Sequence, residues 1–127
     1  MAKRSKYDVV LVTCNRITAL RMSLPLMMSQ SVLPSQIIVV DTSDDHETMR
    51  REIEALLRPA PCAAFVVKSP VRSIPAQRNV GLGHVTAPIV MFPDDDSLWF
   101  PGFADKVVDV YEKDREGRIA GVTGVPS

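Results

Sequence analysis

Four short apolar runs, rich in β-branched residues, alternate along the chain with longer segments in which apolar residues recur every three or four positions. Strands that are buried on both faces show continuous apolar runs of this length. The pattern therefore predicts four parallel strands. Their sequences are YDVVLVT (7–13), QIIVVD (36–41), AAFVVK (63–68) and PIVMF (88–92).

Each segment that follows a run carries one apolar stripe, which is typical of a helix that packs on a sheet through a single face. Asp44 stands three residues before Glu47 and predicts a capping box at the start of the second helix, which Pro59 should end. Pro75 predicts the start of the third helix, which we expect to run through Val85. The other stripes are Ile17, Leu20, Leu24, Met27 and Met28 in the first helix, Met49, Ile53, Leu56 and Leu57 in the second, and Phe103, Val107, Val110 and Tyr111 in the fourth.

Strands and helices that alternate with right-handed crossovers form a parallel sheet with helices on both faces. The sequence therefore predicts one doubly wound, Rossmann-like α/β domain over residues 1–127. A strand order of 3-2-1-4 would bring the ends of all four strands to one crevice. A further strand-like segment from Ile119 to Val125 has no helix after it and would leave an apolar edge. We therefore expect the chain to be the N-terminal part of a longer protein.

Composition narrows the choice of partners and location. Of the 127 residues, 15 are basic and 15 acidic, and the charges are interspersed, which disfavours nucleic acid as a partner. The basic residues Lys3, Arg4 and Lys6 precede an apolar run that is too short for a signal peptide or a membrane span. Two cysteines form no disulfide framework. These features indicate a cytoplasmic protein, or one held at the inner face of a membrane through regions outside this chain.

The acidic run Asp94-Asp95-Asp96 at the end of the fourth apolar run carries the strongest chemical signal. One helix cap needs only one acid, and neighbouring carboxylates raise one another's pKa and destabilise the fold unless a cation is present. Mg²⁺ and Mn²⁺ prefer carboxylate oxygens and often share them with the oxygens of a diphosphate and with water. The run therefore predicts a divalent metal site that also binds a diphosphate.

Other polar clusters follow the remaining strands, and in an open parallel sheet such strand ends form the ligand crevice. They are Thr13 to Arg16 after the first strand, Asp41 to Asp45 after the second, and Ser69 to Ile74, including Arg72, after the third.

Four of these segments resemble, in order, the motifs of the inverting family 2 glycosyltransferases, which have the GT-A fold and take a sugar from a nucleotide diphosphate. VVLVTCNR resembles a strand ending in T-Y-N-R, QIIVVDTSDD resembles V-V-D-D-x-S-x-D, IPAQRNVGL resembles A-x-R-N-x-G, and FPDDDSLW resembles the metal motif D-x-D. Together they cover nearly the whole chain, and the GT-A fold implies the strand order 3-2-1-4.

The resemblance implies a role for each matching residue. Thr13, with Cys14, Asn15 and Arg16 beside it, would border the nucleotide base, and Asp41 would contact the base or ribose. Arg72 or Arg78 would lie near the diphosphate. Asp96 would bind Mg²⁺ or Mn²⁺, while Asp94 or Asp95 would contact the ribose or the metal.

The resemblance further implies transfer to a saccharide or other hydroxyl acceptor, with a UDP-sugar favoured as donor. The residues also depart from the family. Thr42 replaces a second acid, and Cys14 replaces an aromatic residue that would stack on the base. No residue stands out as the catalytic base, and we expect the isolated chain to bind donor and metal without completing transfer.

Three alternatives remain. A phosphatase or phosphomutase of the haloacid dehalogenase type also uses two acids at a strand end, but its nucleophilic acid follows the opening strand, where this chain has Thr13. A nucleotidyltransferase places a glycine-rich, basic phosphate loop after that strand. A non-catalytic binding domain could keep the same scaffold.

His46 and His84 stand apart from other metal-binding residues and are expected at the surface. Gly81 and Gly83 do not follow a strand as a dinucleotide fingerprint requires.

Overall fold

The computed structural model describes residues 6–114, in which strands and helices alternate. The strands are β1 (Tyr7–Thr13), β2 (Gln36–Asp41), β3 (Ala63–Lys68) and β4 (Ile89–Met91). The helices are α1 (Ile17–Met28), α2 (His46–Leu57), α3 (Ile74–Leu82) and α4 (Phe103–Lys113). The strands thus lie where the apolar runs predicted them, with β4 shortened to three residues.

All four strands are parallel, in the order β3-β2-β1-β4, which confirms the predicted topology. β1 pairs with β2 from Asp8↔Gln36 to Thr13↔Asp41, so both central strands end at the same level. Chain order reverses between β1 and β4, and this places a crevice beside the end of β1. The prediction of burial on both faces holds for β1 and β2 but is wrong for β3, an edge strand whose side chains are half-buried or exposed.

Alternate residues of the central strands face two different hydrophobic layers. Val9 and Leu11 of β1 belong to a large core that includes buried side chains of α1, α2 and α4. Val10 of β1 and Val40 of β2 belong to a smaller core on the opposite face, against which α3 packs. Helices therefore cover both faces of the sheet, as predicted for a doubly wound fold.

The approach of α3 to the sheet depends on Gly81. A β-carbon at this position would lie 2.3 Å from Val10 Cγ1 and 3.2 Å from Val40 Cγ2, closer than carbon atoms pack. The glycine therefore has a packing role, which agrees with rejecting a dinucleotide fingerprint.

The helices differ from the predictions in two boundaries and in one buried face. The side chain of Asp45, not Asp44, caps α2 by accepting a hydrogen bond from the Thr48 amide at 3.1 Å, because Asp44 is held by other loops. Helix α3 ends at Leu82 instead of Val85. In α4 the fully buried residues are Ala104 and Val108, whereas the predicted stripe residue Val110 is 37% exposed.

Asp8, at the start of β1, fixes the entry of β4. Its Oδ2 accepts hydrogen bonds from the amides of Thr86 at 2.8 Å and Ala87 at 3.1 Å, and from Gln36 Nε2 at 2.8 Å. Asp94 stands three residues after the end of β4, so by fixing the start of β4 the buried Asp8 carboxylate helps to position the acidic run.

The predicted strand from Ile119 to Val125 lies outside the described residues, as do Lys3 and Arg4. Within residues 6–114, no helix combines the length and the apolar character that a membrane span requires.

Candidate functional site

The ends of β1 and β4 and the start of α3 surround a cleft of about 340 Å³. Small-molecule sites in proteins begin at about this volume. A second cavity of about 300 Å³ lies at the opposite end of the sheet, near Cys62 and Ala64, away from the polar loops. The first cleft is therefore the candidate site. It is lined by Val12, Thr13, Cys14, Arg16, Ile74, Gln77, Asp94, Asp95 and Asp96.

The acidic loop is anchored to the scaffold through Asp95. The side chain of Asp95 points inward, where its Oδ2 accepts a hydrogen bond from the Thr13 hydroxyl at 3.1 Å. The buried Ser23 hydroxyl of α1 donates to the Asp95 carbonyl at 2.7 Å. Asp94 and Ser97 close the turn through two further hydrogen bonds, so the loop has a defined geometry.

Asp94 and Asp96 differ from Asp95 because both are exposed. The three neighbouring carboxylates therefore do not point into bulk solvent together. One is held against the end of β1, and the outer two flank it at the mouth of the cleft.

The positively charged guanidinium group of Arg16 contacts two carboxylates of this loop. Its Nη1 lies 3.4 Å from Asp95 Oδ1, and its Nη2 lies 3.2 Å from Asp96 Oδ2, while its side chain stays 52% exposed. The sequence interpretation required a cation beside the acids and considered only a metal ion. The structure shows that part of the neutralisation comes from Arg16, at the residue before α1.

Burial raises the pKa of the Asp95 carboxyl group, and the charges of Asp96 and Asp94 raise it further. The hydrogen bond from Thr13 and the charge of Arg16 act in the opposite direction without cancelling the effect of burial. The ionised form of Asp95 is therefore disfavoured in the protein alone, and a further cation in the cleft would stabilise it.

A second network joins the loops after β1, β2 and β3. Asn15 has a left-handed backbone, with φ of 55°, and its side chain exchanges hydrogen bonds with Asp44 at 3.0 and 3.2 Å. Arg72 Nη2 donates to Asp44 Oδ1 at 2.5 Å and to the Thr42 carbonyl at 2.8 Å. The hydrogen bond from Arg72 is the main reason that the pKa of the exposed Asp44 carboxyl group is lowered.

The arginines predicted near the diphosphate have other partners in this structure. Arg72 belongs to the Asp44 network, and the guanidinium carbon of Arg78 lies 5.4 Å from the centre of the Phe92 ring. Arg16 is the arginine that contacts the acids.

Asp41 is fully buried, and both of its carboxylate oxygens have partners. Oδ1 accepts hydrogen bonds from the amide and hydroxyl of Ser43, at 3.1 and 2.5 Å, and Oδ2 lies 2.7 Å from His46 Nδ1. The prediction that His46 is a surface residue is wrong, since its side chain is only 13% exposed. His84 is exposed, as predicted.

Sequence reasoning also missed Gln77. Its side chain is 4% exposed, and its amide nitrogen lies 3.3 Å from the Thr13 carbonyl and 3.2 Å from the Val40 carbonyl. It therefore joins the ends of β1 and β2 and forms part of the cleft wall. A polar residue one helical turn before Gly81, on the face that packs on the sheet, is the signal that could have identified it.

The acidic loop fits a divalent ion whose coordination is completed from elsewhere. Over residues 6–114, no three His, Cys, Asp or Glu side chains are arranged to hold a metal ion by themselves. Adjacent Asp95 and Asp96 nevertheless offer hard oxygen ligands beside an open cleft. Mg²⁺ and Mn²⁺ are commonly bound in this way, by one or two carboxylates together with substrate phosphates and water.

Comparison with known proteins gives a family match over most of the chain. The model of the family described as Glycosyl transferase family 2 matches residues 8–126. The uncharacterised glycosyltransferase YwdF of Bacillus subtilis strain 168 is 29% identical over 107 residues, which amount to 84% of this chain and 38% of YwdF.

Solved structures share the fold. The mannosyltransferase PcManGT of Pyrobaculum calidifontis, in complex with GDP-Man and Mn²⁺, is 28% identical with a TM-score of 0.64, over 77% of this chain and 29% of that chain. S. aureus TarS 1-349 in complex with UDP is 22% identical with a TM-score of 0.69, over 85% of this chain and 32% of that chain. The present chain thus spans well under half the length of each of these proteins.

Proposed function

The chain belongs to glycosyl transferase family 2, a family of sugar-transferring enzymes with the GT-A fold, and we propose that its cleft binds a nucleotide diphosphate sugar together with Mg²⁺ or Mn²⁺. One observation carries the proposal. Thr13, Arg16, Asp95 and Asp96 line one cleft at the point where strand order reverses, so hard oxygen ligands and a guanidinium lie side by side. This combination suits a metal ion and a diphosphate that bind together.

The acidic loop has two roles in this proposal. Asp96, with Asp94, holds the metal ion, and Asp95 contacts the ribose or the metal. The exposure of Asp94 and Asp96 supports a ligand role, because their oxygens are accessible. The hydrogen bonds from Thr13 and Ser23 support a positioning role for the Asp95 segment. The ion, when bound, neutralises charge on the departing diphosphate.

Residues after the other strands bind the nucleotide. Thr13, Cys14 and Asn15 border the base, and Arg16 reaches the phosphates. Asp41 remains the proposed contact to the base or ribose, either directly or through His46, which bonds its Oδ2. Arg72 and Arg78 remain proposed diphosphate contacts that require movement from their present partners, Asp44 and Phe92.

The reaction that we propose is transfer of the sugar to an acceptor hydroxyl with inversion at the anomeric carbon. The base that deprotonates the acceptor is not assigned in this chain, and we propose that these 127 residues bind donor and metal without completing transfer. A UDP-sugar is the favoured donor, and the complexes of structural relatives with GDP-Man and with UDP support a nucleotide sugar of either kind. We propose a cytoplasmic location, or the inner face of a membrane.

Thermal unfolding with a panel of nucleotides tests the proposal. UDP, GDP and dTDP, each with and without Mn²⁺, are compared with phosphomonoesters and nucleoside triphosphates. A ligand at one hundred times its Kd stabilises the folded chain by about 2.7 kcal/mol, which a melting curve detects easily. We expect one nucleoside diphosphate to raise Tm in the presence of Mn²⁺ and the phosphomonoesters to have no effect.

The matched variants are Asp96→Asn, which removes a proposed metal ligand, and Glu52→Gln, which makes the same chemical change on α2. Asp96→Asn should lose the Mn²⁺-dependent part of the shift, whereas Glu52→Gln should keep it. Equal shifts with phosphomonoesters, or no shift with any nucleoside diphosphate, would contradict the proposed function.

A further inference from the structure

We propose that the Arg16 guanidinium is a tethered counter-ion of Asp95 and Asp96 that competes with the divalent metal for the carboxylate of Asp96. A metal ion that binds without a nucleotide must compete with Arg16 for this carboxylate. When a nucleotide diphosphate arrives, Arg16 turns to the phosphate oxygens and leaves the carboxylates to the ion. The first step rests on the metal site of the proposed function, and the second step rests on its nucleotide site as well.

Arg16 contacts carboxylate oxygens of two neighbouring acids, one of which, Asp96, is a proposed metal ligand. Nη1 lies 3.4 Å from Asp95 Oδ1, and Nη2 lies 3.2 Å from Asp96 Oδ2. A guanidinium presents its N–H groups as a planar fork, so one side chain can hold two neighbouring carboxylates. Because two cations repel each other across a few ångströms, the ion and Arg16 cannot both occupy these oxygens favourably.

The Arg16 side chain is more free to move than that of Asp95. The Arg16 side chain is 52% exposed, whereas Asp95 is held by Thr13 through its carboxylate and by Ser23 through its carbonyl. The backbone of Arg16 is fixed at the residue before α1, so the movement is a rotation of the side chain. Exchange of one cation for another therefore needs no rearrangement of the loop.

A diphosphate gives Arg16 an alternative partner. Arg16 lines the same cleft as the acidic loop, so phosphate oxygens in that cleft lie within reach of its guanidinium. Arginine pairs well with phosphate through two parallel N–H bonds. The metal and the nucleotide should therefore bind cooperatively, since the nucleotide removes the competitor of the metal.

The test measures Mn²⁺ binding to the full chain without nucleotide, from the electron paramagnetic resonance signal of the free ion. The variants are Arg16→Gln, Arg16→Lys, and the control Arg21→Gln, which removes an exposed arginine further along the same helix. The near-ultraviolet circular dichroism of buried Trp99 verifies that each variant is folded. A parallel titration measures UDP and GDP binding in saturating Mn²⁺.

Competition predicts opposite changes in the two titrations. Arg16→Gln should bind Mn²⁺ alone about threefold to tenfold more tightly than the wild type, since the competing ionic contacts to Asp95 and Asp96 are lost. The same variant should bind the nucleoside diphosphate about tenfold or more weakly in Mn²⁺, since a charge-assisted phosphate contact is lost. The affinities of Arg16→Lys should lie between those of Arg16→Gln and the wild type, and those of Arg21→Gln should match the wild type. If Arg16 had a purely structural role, Arg16→Gln would bind both Mn²⁺ and the nucleoside diphosphate more weakly.

Unchanged or weaker Mn²⁺ binding by Arg16→Gln, relative to Arg21→Gln, would overturn the inference even if nucleotides bind as proposed. If instead no protein binds UDP or GDP, the proposed function fails, while tighter Mn²⁺ binding by Arg16→Gln would still support competition at the carboxylates.

Discussion

Replacing Gly81 with alanine is the sharpest test of how the sheet supports the cleft. A β-carbon at residue 81 would lie 2.3 Å from Val10 Cγ1, 3.2 Å from Val10 Cγ2 and 3.2 Å from Val40 Cγ2. Carbon atoms pack at about 3.5 to 4.0 Å, so the first contact is too short by more than 1 Å. Val10 and Val40 are buried and β-branched, so their side chains have little freedom to turn aside. Relief of the contact therefore requires a shift of the Val10 side chain out of its present position or of helix α3 away from the sheet.

Two opposing effects determine the magnitude. Crowding in a packed core destabilises proteins by about 1–3 kcal/mol, whereas alanine is favoured over glycine within a helix by about 1 kcal/mol. Because the 2.3 Å contact places the crowding cost in the upper part of that range, about 2–3 kcal/mol, we expect Gly81→Ala to lower the free energy of unfolding by about 1–2 kcal/mol. Gln77, one turn earlier on α3, should lose part of its hydrogen bonding to the Thr13 and Val40 carbonyls, so the cleft wall should loosen as well.

Urea unfolding followed by the fluorescence of Trp99 measures the change. Gly102→Ala is the matched control, since a β-carbon there would meet nothing within 4 Å. The control should lie within about 0.5 kcal/mol of the wild type, as surface changes usually do. A Gly81→Ala protein as stable as the wild type, or more stable, would show that α3 does not pack against β1 as closely as described.

Three other substitutions test neighbouring parts of the structure. Burial raises the pKa of the Asp95 carboxyl group, so its ionisation opposes folding. Asp95→Asn should therefore raise the Tm of the metal-free chain at pH 7, and the difference in Tm should shrink as the pH falls toward 4. A lower Tm of the variant at pH 7 would contradict this. Tyr7→Phe should cost about 1 kcal/mol in urea unfolding, since the buried tyrosine hydroxyl donates to the Val32 carbonyl at 2.7 Å, and no loss would mean that water replaces the donor. Ser23→Ala should weaken Mn²⁺-dependent nucleotide binding in calorimetric titration, because the Ser23 hydroxyl donates to the Asp95 carbonyl oxygen at 2.7 Å and positions the acidic loop. Equal affinity would indicate that the loop is held without this hydrogen bond.

The sequence predicted the strands, the sheet order and the position of the acidic loop well. Continuous β-branched runs separate clearly from helical stripes, and parallel strands necessarily bring their ends to one edge. The sequence predicted the burial of the strands less well, because burial depends on which strands lie on either side in the sheet. The run that forms β3 has the same apolar character as β1 and β2, yet β3 lies at an edge.

The partners of individual side chains were not predictable in the same way. Arg16 and Asp96 are far apart along the chain and meet only because β1 and β4 are adjacent. His46 and Asp41 are five residues apart, but their contact depends on the turn that precedes α2. The spacing to Glu47 favoured Asp44 as the cap of α2, but Arg72, from a distant loop, holds Asp44, and Asp45 caps the helix instead.

Diffraction from crystals grown with Mn²⁺ and the nucleoside diphosphate that stabilises the chain most, recorded near the manganese absorption edge, tests the proposed site most directly. The anomalous signal locates the ion without assumptions about its ligands. We expect the ion beside the carboxylate of Asp96, in contact with a diphosphate oxygen, with Arg16 turned away from the acids. A bound nucleotide whose ion lies elsewhere, or a nucleotide bound outside the cleft, would contradict the proposal that Asp94, Asp95 and Asp96 form the metal and diphosphate site.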